Sequence, residues 1–388
     1  MNIITKNDKK TFEATLRAKL GQGKVLLLVG PRQVGKTTLV KKLLANRSHL
    51  FLDGDDPTVR ALLETANTQT LQQLIGSADL LFIDEAQRIP SIGLTLKIIA
   101  DRFPSVQLIV SGSSSFDLKN SLSEPLTGRK WEYQLFPISW AEWEAHQGYL
   151  AAEQQLEHCM VYGMYPDLFN YPGNEKEVLK NLTESYLYRD LFALTNMRKP
   201  ELLEKLLQAL AFQLGNEVSL NELAQLLGID KNTVASYIEV LKKGYVIFSL
   251  PSFCRNLRNE IKRNQKIYFY DNGIRNAVIG NLTPLANRTD TGALWENFMI
   301  SERVKYNAYQ GRWVQSYFWR TVAQQEVDYV EESNGHIRGY EFKWNPKAKI
   351  KIPKSFTSVY DSSVEAVHRS NFRSFVMPSS DTQALSQG

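Results

Sequence analysis

Two cysteines in 388 residues, Cys159 and Cys254, have no His or Cys neighbour at metal-ligating spacing, which argues against a zinc site or a disulfide framework. The longest apolar runs reach about five or six residues, far below the roughly 20 needed to span a bilayer. Met1 to Lys10 lack the apolar core of a signal peptide, so the expectation is a cytoplasmic protein with no membrane partner. Internal repeats and low-complexity runs are missing as well. Charge of one sign is scarce: 46 Lys and Arg stand against 41 Asp and Glu, a net +5 that permits an acidic partner without establishing one. What remains, 43% hydrophobic and 22% charged residues, is the composition of a globular chain long enough for about two or three domains.

The most informative stretch present is Gly30-Pro31-Arg32-Gln33-Val34-Gly35-Lys36-Thr37, followed by Thr38. It lies between an apolar run, Val25–Val29, and a helical pattern that continues to Leu44. Strand, glycine-bounded loop and helix in that order form a phosphate cradle: Gly30 and Gly35 let successive N–H groups turn inward, Lys36 reaches the outer phosphates, and the Thr37 hydroxyl faces Mg²⁺. This is a Walker A pattern, and it predicts a nucleoside triphosphate and Mg²⁺ as ligands. Leu80-Leu81-Phe82-Ile83 then runs into Asp84-Glu85, a buried strand ending in two carboxylates. Asp84 is placed to hold the metal, directly or through water, and Glu85 to polarise the attacking water. Taken alone, an Asp-Glu pair also fits a strand end or a helix cap.

Val25–Val29, Leu50–Leu52, Leu80–Ile83 and Val106–Val110 read as strands buried on both faces, separated by helical patterns. The fold class expected for residues 1–145 is therefore α/β, a P-loop doubly wound parallel sheet with ligands at the C-terminal strand ends. Asp53 and Ser111-Gly112-Ser113 fall at such ends. A helical linker is expected over 146–215. Over 216–285, Ser219 opens a capped helix with Glu222 three residues on, Gly228-Ile229-Asp230 makes a turn, and a second helix runs from Lys231 to Lys243. With Val246–Leu250 and Lys266–Tyr270 as wing strands, this pattern predicts a winged helix. Lys231, Asn232, Arg255, Arg258, Lys262 and Arg263 are its candidate DNA contacts. Such modules also serve as connectors or protein contacts, and a charged hairpin is often only solvated.

A last segment, 286–388, is expected to be α+β. A helix carries Glu296, one strand carries Asp328, and a neighbouring strand carries Glu341 and Lys343 on one face. That order and spacing resemble a PD-(D/E)XK nuclease core, in which the carboxylates bind Mg²⁺ and Lys343 orients or deprotonates water. Cross-strand ion pairs give the same pattern.

The whole chain resembles the AAA+ ATPases of bacteria and archaea that carry a C-terminal domain of unknown function, a winged helix followed by a restriction-nuclease-like module. The resemblance rests on the Walker residues, Gly112-Ser113-Ser114-Ser115, Leu126-Thr127-Gly128-Arg129 leading to Phe136-Pro137-Ile138-Ser139, Gly163-Met164-Tyr165-Pro166, and Tyr186-Leu187-Tyr188-Arg189-Asp190. It implies a γ-phosphate sensor at Ser111 or Ser113 and an arginine acting in cis or trans at Arg129, with Arg189 as a second candidate; for either arginine an ion pair is the alternative. It also favours adenine, consistent with the missing Asn-Lys-x-Asp guanine motif. Three functions fit these readings: an ATP-driven switch acting on DNA, an ATP-regulated Mg²⁺-dependent nuclease, and a nucleotide-controlled protein-binding regulator. The aromatics Trp131, Tyr133, Phe136, Trp140 and Trp143 are either a partner surface for the third or core.

Overall fold

The computed structural model describes residues 10–113, 126–184, 200–254 and 265–378, and the elements below are those of these residues. They fall into two compact units, one comprising residues up to Pro137 together with Lys243–Tyr245, the other the remainder from Ile138 onward.

In the first unit β1 (Val25–Val29), β2 (Leu50–Asp53), β3 (Leu80–Asp84), β4 (Gln107–Gly112) and β5 (Lys130–Gln134) form one sheet in the order β2-β3-β4-β1-β5, every pair parallel. β1 and β3 are buried along their whole length because their side chains are apolar on both faces. β5 was not among the expected strands. Its Lys-Trp-Glu-Tyr-Gln sequence alternates polar and aromatic residues, as suits a half-buried edge strand. The mixed α/β architecture and parallel sheet match the P-loop class expected. After β1, α2 (Lys36–Leu44) buries Leu39, Val40, Leu43 and Leu44 and carries Lys41 and Lys42 in its last turn, where they complement the helix dipole.

The second unit is built around one 19-residue helix, Thr291–Tyr309. Near its middle, Glu302 accepts from the Trp140 backbone N–H at 2.6 Å and from Lys305 at 2.6 Å, and Lys305 also donates to the Ile138 carbonyl. Next come β9 (Gln315–Arg320), β10 (Glu326–Ser333) and β11 (His336–Phe342), antiparallel in sequence, then a helix, Lys354–Tyr360, and β12 (Ser363–Val367), which pairs parallel with β11. Upstream, helix Pro200–Phe212, β6 (Glu217–Val218), helices Leu220–Leu227 and Lys231–Lys243, β7 (Ile247–Pro251) and β8 (Gln265–Phe269) make a small sheet in the order β6-β8-β7. Ser219 caps the first of those paired helices by accepting from the Glu222 N–H.

Two motifs behind the family resemblance do structural work. Ser139 and Glu142 form a reciprocal capping box at the start of helix Trp140–Gln147. Gly163, at φ 86°, leaves no room for a Cβ, which would strike the Asp271 carboxylate. That carboxylate accepts from the Met164 N–H at 2.7 Å and the Ile274 N–H at 3.1 Å. Phe136, Trp140 and Trp143 are buried and Trp131 and Tyr133 half-buried, so these aromatics are largely core.

Candidate functional site

The phosphate loop leaves β1 at Gly30, whose φ of 149° and close approach to the Leu135 carbonyl both require glycine. Gln33 and Gly35 are left-handed as well, and Gly35 opens α2 with no side-chain cap. Gly35, having no side chain, places no capping acceptor over the start of α2, as in an anion cradle. Pro31 and Val34 are buried and hold the loop down, Arg32, Gly35 and Thr37 are half-buried, and Gln33 and Thr38 are exposed. Lys36 is only 5% exposed, and its ammonium donates to the loop's own carbonyls, Gly30 at 3.0 Å and Pro31 at 2.7 Å.

The two Walker motifs meet at Asp84. Its Oδ2 accepts from the Thr37 hydroxyl at 2.6 Å, and its Oδ1 accepts from the Glu85 N–H at 3.1 Å and from the Ser111 hydroxyl. Asp53, the register partner of Asp84 on β2, is committed to its own turn by accepting from the Asp55 N–H at 2.9 Å. The sensor candidates separate here: Ser111 serves Asp84, whereas the Ser113 hydroxyl donates to Glu85 Oε2 at 3.1 Å.

Sequence reasoning missed Gln87. Glu85 has a left-handed φ of 47°, and a single 3-10 turn, Ala86–Arg88, follows it. That turn puts the Gln87 amide 2.5 Å from Glu85 Oε2 and 2.8 Å from Ser113 Oγ, and Arg32 Nε lies 3.4 Å from the same hydroxyl. The other end of the Gln87 amide, Oε1, is buried with no hydrogen-bond partner. A desolvated carbonyl left that way costs about 1–3 kcal/mol. The only sequence signal was a second polar residue two positions past the Asp-Glu pair.

Arg129 is not brought to this site within the chain. Its carbonyl accepts from Val25 N–H, at the start of β1, so it sits roughly 16 Å of strand away from the phosphate loop. Its guanidinium is partly exposed and pairs with Asp101 at 2.7 Å. Arg189 with Tyr186–Asp190, Ser114, Ser115, and the wing residues Arg255, Arg258, Lys262 and Arg263 lie outside the described residues. Lys231 and Asn232 are exposed at a helix start, where the Asn232 N–H donates to Asp230 at 2.7 Å.

In the second unit Glu296, Asp328, Glu341 and Lys343 line one cavity of about 980 Å³. Lys343 lies 3.1 Å from Glu341 and 3.7 Å from Asp328, which also accepts from the Phe342 N–H at 2.9 Å. Lys266 on β8, unforeseen and 1% exposed, contacts Glu326 at 2.5 Å and Glu296 at 3.3 Å, and the Tyr268 hydroxyl donates to Glu296 at 2.6 Å. Burial lifts the Glu296 carboxyl to about 7, with the Lys266 ammonium opposing and the Asp328 carboxylate adding to the lift. Burial and Asp328 lift Glu341 to about 7 as well. Burial opposes the charge on Lys343, yet Asp328 and Glu341 raise its pKa. Lys343 is therefore held as an ammonium, which suits the orienting role expected of it. Ammonium groups pair with these carboxylates, and among the described residues no group of three or more His, Cys, Asp or Glu is arranged to hold a metal. The cluster as folded does not fit Mg²⁺.

Comparison with known proteins finds three domain profiles along the chain. An AAA domain profile matches residues 22–144, and profiles of two domains of unknown function, DUF8612 and DUF4143, match residues 153–285 and 291–386. Over 341 residues the chain is 28% identical to an uncharacterized protein of Mycobacterium tuberculosis, covering 87% of this chain and 74% of that one. It is 22% identical over 293 residues to an uncharacterized protein of Methanocaldococcus jannaschii, covering 70% and 66%. A solved Walker-type ATPase of Pyrococcus abyssi shares the fold at a TM-score of 0.51 and 17% identity, over 70% of this chain and 95% of that one. No described helix is long and apolar enough to cross a membrane. Residues 22–144 thus form an AAA-like domain with a P-loop fold.

Proposed function

We propose that the chain binds ATP with Mg²⁺ at the first unit and hydrolyses it through Glu85, using the cycle to switch what the second unit does. The observation that carries this reading is the 2.6 Å contact from the Thr37 hydroxyl to Asp84, which joins loop and strand end at one point. These oxygens are hard donors, the kind Mg²⁺ takes alongside phosphate and water, and the ion would offset phosphate charge there.

The chain's own groups account for the rest. Lys36 exchanges the Gly30 and Pro31 carbonyls for the outer phosphates, and the N–H groups of the loop and α2 receive the phosphate oxygens. Glu85 takes a proton from water as that water attacks the γ-phosphorus, and Ser113 holds the carboxylate. Hydrolysis measured with Mg²⁺ and with EDTA, in wild type and Lys36→Ala, tests the assignment. Turnover that needs both the cation and Lys36 supports it, and turnover indifferent to Lys36 overturns it.

A second reading concerns the other unit: residues 217–269 as a winged helix beside a pocket that contacts a nucleic-acid backbone. Its motive is the lining of one cavity by Lys343, Lys349, Lys351 and Lys354. The carboxylates of that pocket are already paired with Lys266 and Lys343. Salt-dependent binding of DNA that weakens in Lys343→Ala supports this reading. Binding unaffected by that change and by added salt removes it.

A further inference from the structure

We propose that Gln87 is the positioning residue of the hydrolytic step: its amide fixes Glu85, and its side-chain oxygen accepts one proton of the attacking water in a hydrogen bond. The inference rests on the reading of Glu85 as the base and adds the group that aims it.

Three contacts close a triangle. Gln87 Nε2 lies 2.5 Å from Glu85 Oε2 and 2.8 Å from Ser113 Oγ, and Ser113 Oγ lies 3.1 Å from that same Glu85 oxygen. A primary amide has two N–H donors, and both are spent here. The Ser113 hydroxyl has one hydrogen, which goes to Glu85, and its lone pairs accept from Gln87 and from Arg32 of the phosphate loop at 3.4 Å. One carboxylate oxygen is therefore gripped twice, leaving Oε1 of Glu85 as the oxygen that takes up a proton. Gln87 Oε1 is buried and without a partner. A buried carbonyl kept unsatisfied calls for a donor that arrives during function. In a site for ATP hydrolysis that donor is water.

The step balances. Water oxygen bonds to the γ-phosphorus, the bond from that phosphorus to the β–γ bridging oxygen breaks, and ADP leaves with the electron pair. One water proton passes to Glu85 while the other stays on the new phosphate, held until then by Gln87 Oε1. With both hydrogens engaged, the water is oriented so that a lone pair faces phosphorus.

The test is steady-state ATP hydrolysis by the full chain, alongside affinity for a fluorescent ATP analogue with Mg²⁺. Gln87→Leu is expected to lower kcat by about 100-fold, with affinity changed less than about threefold. Gln87→Glu places a like charge against Glu85, so the acid limb of the kcat–pH profile moves up by about one unit. A residue that merely fastened the turn would show its loss in Gln87→Leu as lowered stability, with kcat of the folded protein near wild type. An unmoved limb in Gln87→Glu, or a Gln87→Leu loss that appears in affinity and kcat alike, overturns the proposal. Should Gln87→Leu fail to fold, the near-isosteric Gln87→Glu decides alone. Glu85→Gln separates the two levels: if its turnover equals wild type, the base reading falls, and if only Glu85→Gln is impaired, the Gln87 inference falls by itself.

Discussion

The two polar clusters of this chain are built on opposite plans. Around Asp84 the charged groups are held by backbone and hydroxyls: Lys36 rests on two loop carbonyls, and Asp84 takes donors from Thr37, Ser111 and the Glu85 N–H. On the proposed reading, a nucleotide's phosphates and cation would replace such partners. In the Lys266 pocket the charges are held by each other, two ammonium groups among four carboxylates. An incoming ion there must first break a buried pair, which is expensive. The first arrangement is poised to receive a ligand, whereas the second is closed by its own residues.

The sharpest way to break this contrast is Lys36→Ala. Losing the ammonium from the cradle should reduce ATP affinity by about 100-fold or more, measured by equilibrium binding of the nucleotide, since a charge-assisted contact to phosphate is among the stronger ones. Affinity within a few-fold of wild type would mean that the cradle does not hold the phosphates.

A smaller effect tests the closed pocket. Glu296 and Glu341 titrate near 7 in the fold, against an ordinary value of 4.5. Between those two pH values the unfolded chain gives up protons that the folded one keeps. The stability these protonated carboxyls contribute is complete below about 4.5 and is lost as pH rises through about 7. Glu296→Gln removes one such group, so the stability of wild type relative to Glu296→Gln should fall by on the order of 2 kcal/mol from pH 5 to pH 8 in urea titrations. A difference constant with pH would contradict the buried, raised carboxyl.

The smallest effect is expected at Arg129. Its pair with Asp101 is partly exposed and lies at the far end of β1. Arg129→Ala should shift stability by less than about 1 kcal/mol and leave turnover of the isolated chain within about twofold. A large loss of turnover confined to concentrated samples would return Arg129 to the trans role.

The contrast also explains what the sequence disclosed. The phosphate loop, β1 to β4 and the Asp84-Glu85 end are legible because each is a contiguous run whose period and glycine positions have one physical reading. β5 escaped notice because a half-buried edge strand need not be apolar. Gln87 escaped because what matters is the tight turn at Glu85, whose left-handed φ no residue type announces. In the second unit strand alternation put Glu341 and Lys343 on one face, and an order and spacing resembling a PD-(D/E)XK core added Glu296 and Asp328. Lys266 was not among them, since it enters from β8, and its contacts with Glu296 and Glu326 depend on how that hairpin packs on helix Thr291–Tyr309.

The measurement that bears most directly on the account is nucleotide retention and turnover in Glu85→Gln. The account predicts that this variant binds ATP with Mg²⁺ as wild type does while its turnover drops by about 100-fold or more, so that ATP rather than ADP is recovered from the protein. Turnover equal to wild type, with ADP recovered, would contradict it and move the hydrolytic base away from Glu85.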